Sequence, residues 1–496
     1  MNGRRKEAAG ACGRIVATAL ALALAAGCTM GPDYVRPSAP IPADYKEAKG
    51  WKLAQPADNV PRGAWWEAFG VPELNALVAQ VDFANQNVAA AVGRVRQARA
   101  ITQAARAAYW PVVSAGAFAS RSGSSGGGGR VGIDSGGNVS NNFNLSLDAS
   151  WEIDLWGRVR RTVEGDEASA EASVADLESV KLAAQTDVVI DYLLLRVQDA
   201  TIALLNETAA GYERSLQLTR NQFAVGVVGR VDVVQAEAQL AATQASVLDA
   251  GVQRAQLEHA IAVLIGKPPA EFSLAPGPAV QAFPTIPLGL PSELLERRPD
   301  IASAERKMAA ANAQIGVAAA AYFPSLTLNA TGGFQNSVLS DLLSWPSRFW
   351  ALGPAVLAQT IFDAGLRKAQ SAQAEAVYDT AVGTYRQTVL NGFQEVEDNL
   401  AALRILEQEA SYQDTAVRAA REAAAITLNQ YKAGIANYLA VVVLQNAALN
   451  TERTLLGVLA RRLSASVNLI KALGGGWNAD ALKNPPVAKN EPDSPG

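Results

Sequence analysis

Asn221-Gln222-Phe223-Ala224-Val225-Gly226 returns as Asn429-Gln430-Tyr431-Lys432-Ala433-Gly434, 208 positions further on. The same interval relates Gly157-Arg158 to Gly365-Leu366, and Gly266 to Gly474. Ala108-Tyr109-Trp110-Pro111 returns as Ala321-Tyr322-Phe323-Pro324 after 213 positions. The first copy therefore carries its five extra residues between Pro111 and Gly157, where the glycine run Gly126 to Gly129 lies. A repeat of this length is a duplicated domain-sized module, not a solenoid unit.

Outward from that repeat, each copy reads as helix, β-hairpin, very long helix, turn, helix. In the first, a helix is expected over Glu73 to Tyr109, where Pro111 stops it. Phe143 to Ile153 alternates without error: Phe143, Leu145, Leu147, Ala149, Trp151 and Ile153 against Asn144, Ser146, Asp148, Ser150 and Glu152. That pattern is a strand with one apolar and one wet face. Val112 to Ala119 is its expected partner, across a Gly/Ser loop over 121–142. Arg158 to Gln222 is free of proline; as one helix of roughly 65 residues it would be about 97 Å long. The turn at 226–229 leads into a helix to Ile265. The second copy predicts a helix over Pro291 to Tyr322 and strands over Ser325–Phe334 and Phe349–Phe362. Pro354 marks a bulge or an edge in the second of these. A long helix from Leu366 to Gln430 and a last helix to Leu473 complete the copy. The last helix has an apolar heptad seam (Val442, Leu449, Leu456, Leu463, Ile470). Its counterpart (Val233, Leu240, Val247, Ile261) is interrupted by Arg254.

The chain has 496 residues and a formal charge of −4, with no basic stripe, which excludes a nucleic-acid footprint. Arg4, Arg5, Lys6 and Arg14 precede an apolar run from Ile15 to Ala26, too short for a mature spanning helix. It ends in Leu24-Ala25-Ala26-Gly27-Cys28, similar to a bacterial lipoprotein cleavage box. The expected organisation is a signal over 1–27, a Pro-rich tether from acylated Cys28 over 28–63, repeat one over 64–290, repeat two over 291–476 and a disordered tail over 477–496. Cys12 would leave with the signal, so no disulfide is possible.

Four strands with one apolar face cannot close a barrel, and an open edge cannot sit in lipid. Three chains would supply twelve strands. Phe143, Leu145, Leu147 and Trp151 would then face lipid, while Asn144, Asp148 and Glu152 face water. Tyr109-Trp110, Trp151, Trp156, Tyr322-Phe323 and Phe349-Trp350 fall near strand ends, where an aromatic belt belongs. The bland alternative is a soluble hairpin domain with helical hairpins attached.

The chain resembles the TolC-like outer-membrane efflux factors, in the lipoprotein branch serving resistance-nodulation-division (RND) pumps. The matching residues are Cys28, Gly31-Pro32-Asp33-Tyr34-Val35-Arg36-Pro37, Trp65-Trp66, Ala321-Tyr322-Phe323-Pro324 and Leu473-Gly474-Gly475-Gly476-Trp477. The resemblance implies an α+β membrane protein and a homotrimer. A twelve-stranded outer-membrane β-barrel would continue into a twelve-helix periplasmic α-barrel. It further implies passive export of small molecules, with a periplasmic adaptor (membrane fusion) protein and an inner-membrane RND pump as partners. The turns at Gly226, Gly229, Arg230 and Asp232, and at Gly434 and Tyr438, would be the periplasmic tips where an adaptor docks. Each glycine has a simpler use as well, because a turn needs φ > 0.

In the family resembled, Tyr-Leu after the second tip is followed by an Asp four after the Leu, then an Arg three further on. Here Tyr438 and Leu439 match, but those charged positions are Val443 and Asn446. An aperture closed by apolar contact at Leu439 and Val443 is expected, less sensitive to pH and salt than a charged ring. Arg230, Asp232 and Glu237 offer polar contacts between chains or are simply solvated.

No enzyme and no cofactor is expected. His259 stands alone on a long helix, and Gly126-Gly127-Gly128-Gly129-Arg130 lacks the Lys-Ser/Thr of a phosphate loop. Two other readings are a duct for type I protein secretion and a periplasmic coiled-coil scaffold lipoprotein without a pore. The clean alternation over 143–153 counts against the scaffold.

Overall fold

The computed structural model describes residues 29–39, 41–47, 64–124, 138–284, 286 and 297–477. The signal segment, Cys28, most of the Gly/Ser loop, part of the junction between repeats and the tail from 478 lie outside the described residues.

The helices are α1 (Pro72–Ala84), α2 (Gln86–Ala107), α3 (Arg158–Ala224), α4 (Arg230–Leu264), α5 (Pro299–Ala320), α6 (Leu366–Lys432) and α7 (Tyr438–Ala472). The strands are β1 (Val112–Ser124), β2 (Asn138–Ile153), β3 (Ser325–Asn336) and β4 (Arg348–Ala358). The duplication is exact in the helices that follow each hairpin. Both α3 and α6 have 67 residues, both α4 and α7 have 35, and their bounds differ by the sequence interval.

The chain divides into two compact units. One comprises the described residues within Met1–Pro37, Arg96–Glu171 and Glu305–Gly383; the other comprises those within Ser38–Val95, Ala172–Ala304 and Thr384–Gly496. The first unit holds the sheet. Its order is β1-β2-β3-β4, all antiparallel, so the second strand of one hairpin pairs with the first strand of the other. The expected bulge at Pro354 is present: Leu328 pairs with Ala355 and Ala330 with Leu352, leaving Gly353 and Pro354 opposite Asn329 alone. Residues 29–37 form no helix or strand, yet they are tied to this unit. The buried guanidinium of Arg161 donates to the carbonyls of Met30 and Gly31 and to Asp33, at 3.2, 3.4 and 2.8 Å. The amide of Asn312 holds the Pro32 carbonyl at 3.0 Å.

In the second unit the main core joins Trp65, Trp66 and Phe69 to Leu74, Val78 and Val81 of α1 and to Val188, Leu193 and Leu195 of α3. The single helix expected from Glu73 to Tyr109 is broken in two. Asn85 takes an extended backbone, and its side-chain oxygen accepts from the amides of Asn87 and Val88 at 2.9 and 3.1 Å. Its NH₂ reaches the Leu264 carbonyl at 2.7 Å, so the break is a capped corner locked to the end of α4. The heptad seam packs as expected: Leu449, Leu463 and Ile261 are buried, and Val233, Leu240 and Val442 are partly buried against a core cluster. Arg254, the apparent interruption, binds the buried Asp199 at 2.6 Å, the Leu274 carbonyl at 2.6 Å, and Glu258. It pins the segment after α4 to the helices, which an apolar residue could not do.

Candidate functional site

Two features carry the functional argument, one in each unit. The first is the sheet. Residues opposite each other in an antiparallel ladder share a face. The register carries the apolar face of β2 across all four strands; the polar face is less uniform, since Val112 and Phe118 of β1 and Phe349, Ala351 and Val356 of β4 also lie on it. Ala117, Leu145 and Phe334 form one row with Arg348; Ala115, Leu147 and Gly332 form the next with Trp350; Trp151, Leu328 and Ala355 align further along. The opposite face presents Ser114, Asn144, Ser146, Asp148, Glu152, Thr327 and Thr331. Phe143 is half-buried, whereas Leu145, Leu147 and Trp151 are exposed, as are Trp350 and Leu352 of β4. An apolar face this continuous and this open to solvent lacks its partner in the isolated chain. Aromatic groups gather where the strands meet the helices. Trp151 donates its indole N–H to the Tyr109 carbonyl at 3.1 Å, and Trp156 donates to the Pro324 carbonyl at 2.7 Å while stacking on Phe323 at 4.8 Å.

The second feature is the pair of turns that end α3 and α6. Gly226 and Gly434 have φ of 79° and 76°. The amides of Gly226 and Val227 bond back to Phe223 and Gln222, and those of Gly434 and Ile435 to Tyr431 and Gln430, all at 2.9–3.0 Å. Both turns are the same left-handed helix stop. Gly229 has φ −83° and needs no glycine freedom; it is the cap residue of α4, and in the second copy Asn437 takes that place, accepting from the Ala440 amide at 3.0 Å.

Tyr438 is not presented to a partner. Its side chain is 0% exposed, 5.4 Å from the ring of Tyr431, in a cluster with Leu216, Ala236 and Val441. Its hydroxyl finds no hydrogen-bond partner among the described residues. Burial, then Tyr431, Tyr212 and the Asp232 carboxylate, push that hydroxyl up to about 12. Within the chain its ring fills the space between the two turns, so no part of its side chain is exposed at the surface. Leu439 and Val443 are 53% and 57% exposed, one helical turn apart. Asn446 is drawn into a reciprocal amide pair with Gln239 of α4: Gln239 donates to the Asn446 oxygen, and Asn446 donates back at 3.1 Å. Arg230 is exposed and Asp232 is half-buried in the first turn of α4. Glu237 is held within the chain by Arg220 at 2.7 Å. Sequence reasoning missed the Tyr431–Tyr438 contact and the Gln239–Asn446 pair. The 208-residue interval brings the two turns into correspondence but says nothing of which side chains meet.

Among the described residues there is no group of three metal-ligating side chains, and no helix is long and apolar enough to cross a membrane. Cys28 lies outside the described residues.

Comparison with known proteins agrees with the geometry. The family model for outer membrane efflux proteins matches residues 77–267 and 290–475, one stretch for each repeat. The chain is similar to "Probable efflux pump outer membrane protein TtgC" of Pseudomonas putida, 32% identical over 456 residues, covering 91% of this chain and 93% of that one. It is 33% identical over 450 residues to "Pyoverdine export outer membrane protein OpmQ" of Pseudomonas aeruginosa, covering 89% and 94%. Among solved structures it resembles the outer-membrane channel OprN, with a TM-score of 0.84 at 31% identity, over 91% of this chain and 100% of that one. By its duplicated helix–hairpin–helix plan and by these matches alike, the chain belongs to the outer membrane efflux protein family and is an outer-membrane efflux channel component.

Proposed function

We propose that the chain is the exit duct of a tripartite RND-type efflux system and works as a homotrimer. The observation that carries this reading is the four-stranded sheet, with one exposed apolar face, one polar face and both outer strands free along one edge. Three such sheets, joined β4 to β1, make a twelve-stranded closed barrel whose apolar side faces lipid and whose polar side faces the lumen. The long helices form a twelve-helix periplasmic tunnel, and acylated Cys28 adds a lipid anchor. The turns around Gly226, Gly229, Arg230, Asp232 and Gly434 meet the periplasmic adaptor, which couples the duct to an inner-membrane pump. Small molecules are its cargo class; the similar Pseudomonas aeruginosa protein is a pyoverdine export protein.

Leu439 and Val443 close the aperture. Both are exposed apolar residues at the start of α7, and Val443 and Asn446 stand where the family pattern carries its carboxylate and guanidinium. Three copies of each, brought together at the axis, form a constriction that gates by excluding water.

Single-channel conductance of the full-length, detergent-extracted protein in a planar bilayer tests this. The wild type is expected to give a small, mostly closed conductance. Leu439→Ala with Val443→Ala should raise it severalfold. A pore indifferent to the double substitution removes the gate. The absence of conductance from intact trimers removes the duct.

A further inference from the structure

The apolar face of the sheet carries charge at two places only. Arg121 of β1 aligns with Asn141, two pairs beyond Ala119–Phe143; Arg348 of β4 aligns with Phe334. Both therefore share the face of Leu145, Leu147 and Trp350. Both are cations, both are exposed, and both lie toward the hairpin-loop end of the two outer strands. Neither pairs with a carboxylate among the described residues. An arginine on a lipid-facing strand is costly at the bilayer midplane and nearly free at the interface. Its placement at the loop end, and nowhere else on that face, puts the boundary of the hydrocarbon at Ala119 and Trp350.

Arg348 is also held in place. Its guanidinium lies 3.5 Å from the centroid of the Trp345 ring, a cation–π stack. Trp345 begins a short 3₁₀ turn ending at Ser347, and a knot of hydrogen bonds fixes that turn. The buried Ser347 hydroxyl donates to the Asp341 carbonyl at 2.8 Å and accepts from the Asn336 amide at 2.6 Å. Trp345 and Trp350 remain 71% and 76% exposed, on either side of the guanidinium in sequence. A planar cation stacked on one indole, followed two residues on by another that faces lipid, matches a phosphate group above an acyl chain.

We propose that Arg348 with Trp345, and Arg121, bind the phosphate of an outer-leaflet lipid at the seam where β4 of one chain meets β1 of the next. The site rests on the trimeric barrel proposed above, because only the seam brings the two outer strands together. A lipid in that place joins neighbouring chains through its headgroup and covers the seam with its acyl chains.

Native mass spectrometry of the full-length trimer, incubated with lipid A as a bis-phosphorylated glycolipid, tests the site. Wild type is expected to retain the lipid. R121Q with R348Q should lower the retained lipid by about tenfold or more, the scale of losing charge-assisted hydrogen bonds, while remaining trimeric. R348K keeps the charge but loses the planar stack and should fall between them. Equal retention by wild type and the double variant overturns the site. Displacement of lipid A by excess inorganic phosphate alone makes this a small-anion site and overturns the lipid assignment. A wild type that runs as a monomer overturns the seam together with the barrel. Persistent trimers with unchanged lipid counts overturn the site alone.

Discussion

Gly266 and Gly474 stand at matching places in the two copies, and the same physical demand explains both. Each follows a return helix in the left-handed region, with φ of 73° and 92°. A Cβ on Gly266 would stand 2.1 Å from the Ala84 carbonyl oxygen, and one on Gly474 would stand 1.9 Å from that of Arg297. The repeat marked these residues; only the packed backbone explains why no side chain is tolerated. Either Gly→Ala substitution should lower the melting temperature by the equivalent of more than about 2 kcal/mol, since strain and a backbone clash combine. Equal melting of wild type and variants in detergent would contradict this. Tyr438 gives the converse case. Because its buried hydroxyl has no partner among the described residues, Tyr438→Phe should be neutral or slightly stabilising, whereas Tyr438→Ala should cost about 3–5 kcal/mol through the cavity left behind.

Among the elements, α3 carries a second consequence of burial. Burial, then Asp187 one turn earlier, raises the carboxyl of Asp191 to about 6. The folded chain thus holds this proton more tightly than the unfolded one, whose carboxyl titrates near 4. Stability from this group is greatest at low pH and falls as pH rises between about 4 and 6. Asp191→Asn should flatten that part of the pH profile of melting; an unchanged slope would remove the assignment. The corner between α1 and α2 was missed because the helical periodicity continues through Asn85. The residue breaks the helix through its link to Leu264, 179 positions away. Asn85→Ala should cost about 1 kcal/mol for the cap alone, and more with that link lost.

At the scale of the whole molecule, an apolar gate has a signature that a charged one lacks. Wild-type closed conductance should vary little with pH or salt, beyond the conductivity of the solution itself. Val443→Asp with Asn446→Arg, which restores the charges of the family pattern, should make the closed state open more readily at high salt, because screening weakens exposed pairs. Parallel salt curves for the two proteins would argue that Leu439 and Val443 do not form the constriction.

The sequence by itself determined the duplication, the type and near-exact length of each long helix, and the alternation of β2. Those properties reside in local periodicity and in chain-length spacing, which need no knowledge of what packs against what. The sheet order was not legible, because alternation defines a face but not a neighbour. The pairing of β2 with β3, across the whole of α3, α4 and α5, came only from the fold. So did the burial of Tyr438, the use of Arg254 as a clamp and the attachment of Met30, Gly31 and Asp33 to Arg161. Each depends on contacts between residues far apart in the chain, and such contacts exist only once tertiary packing has brought them together.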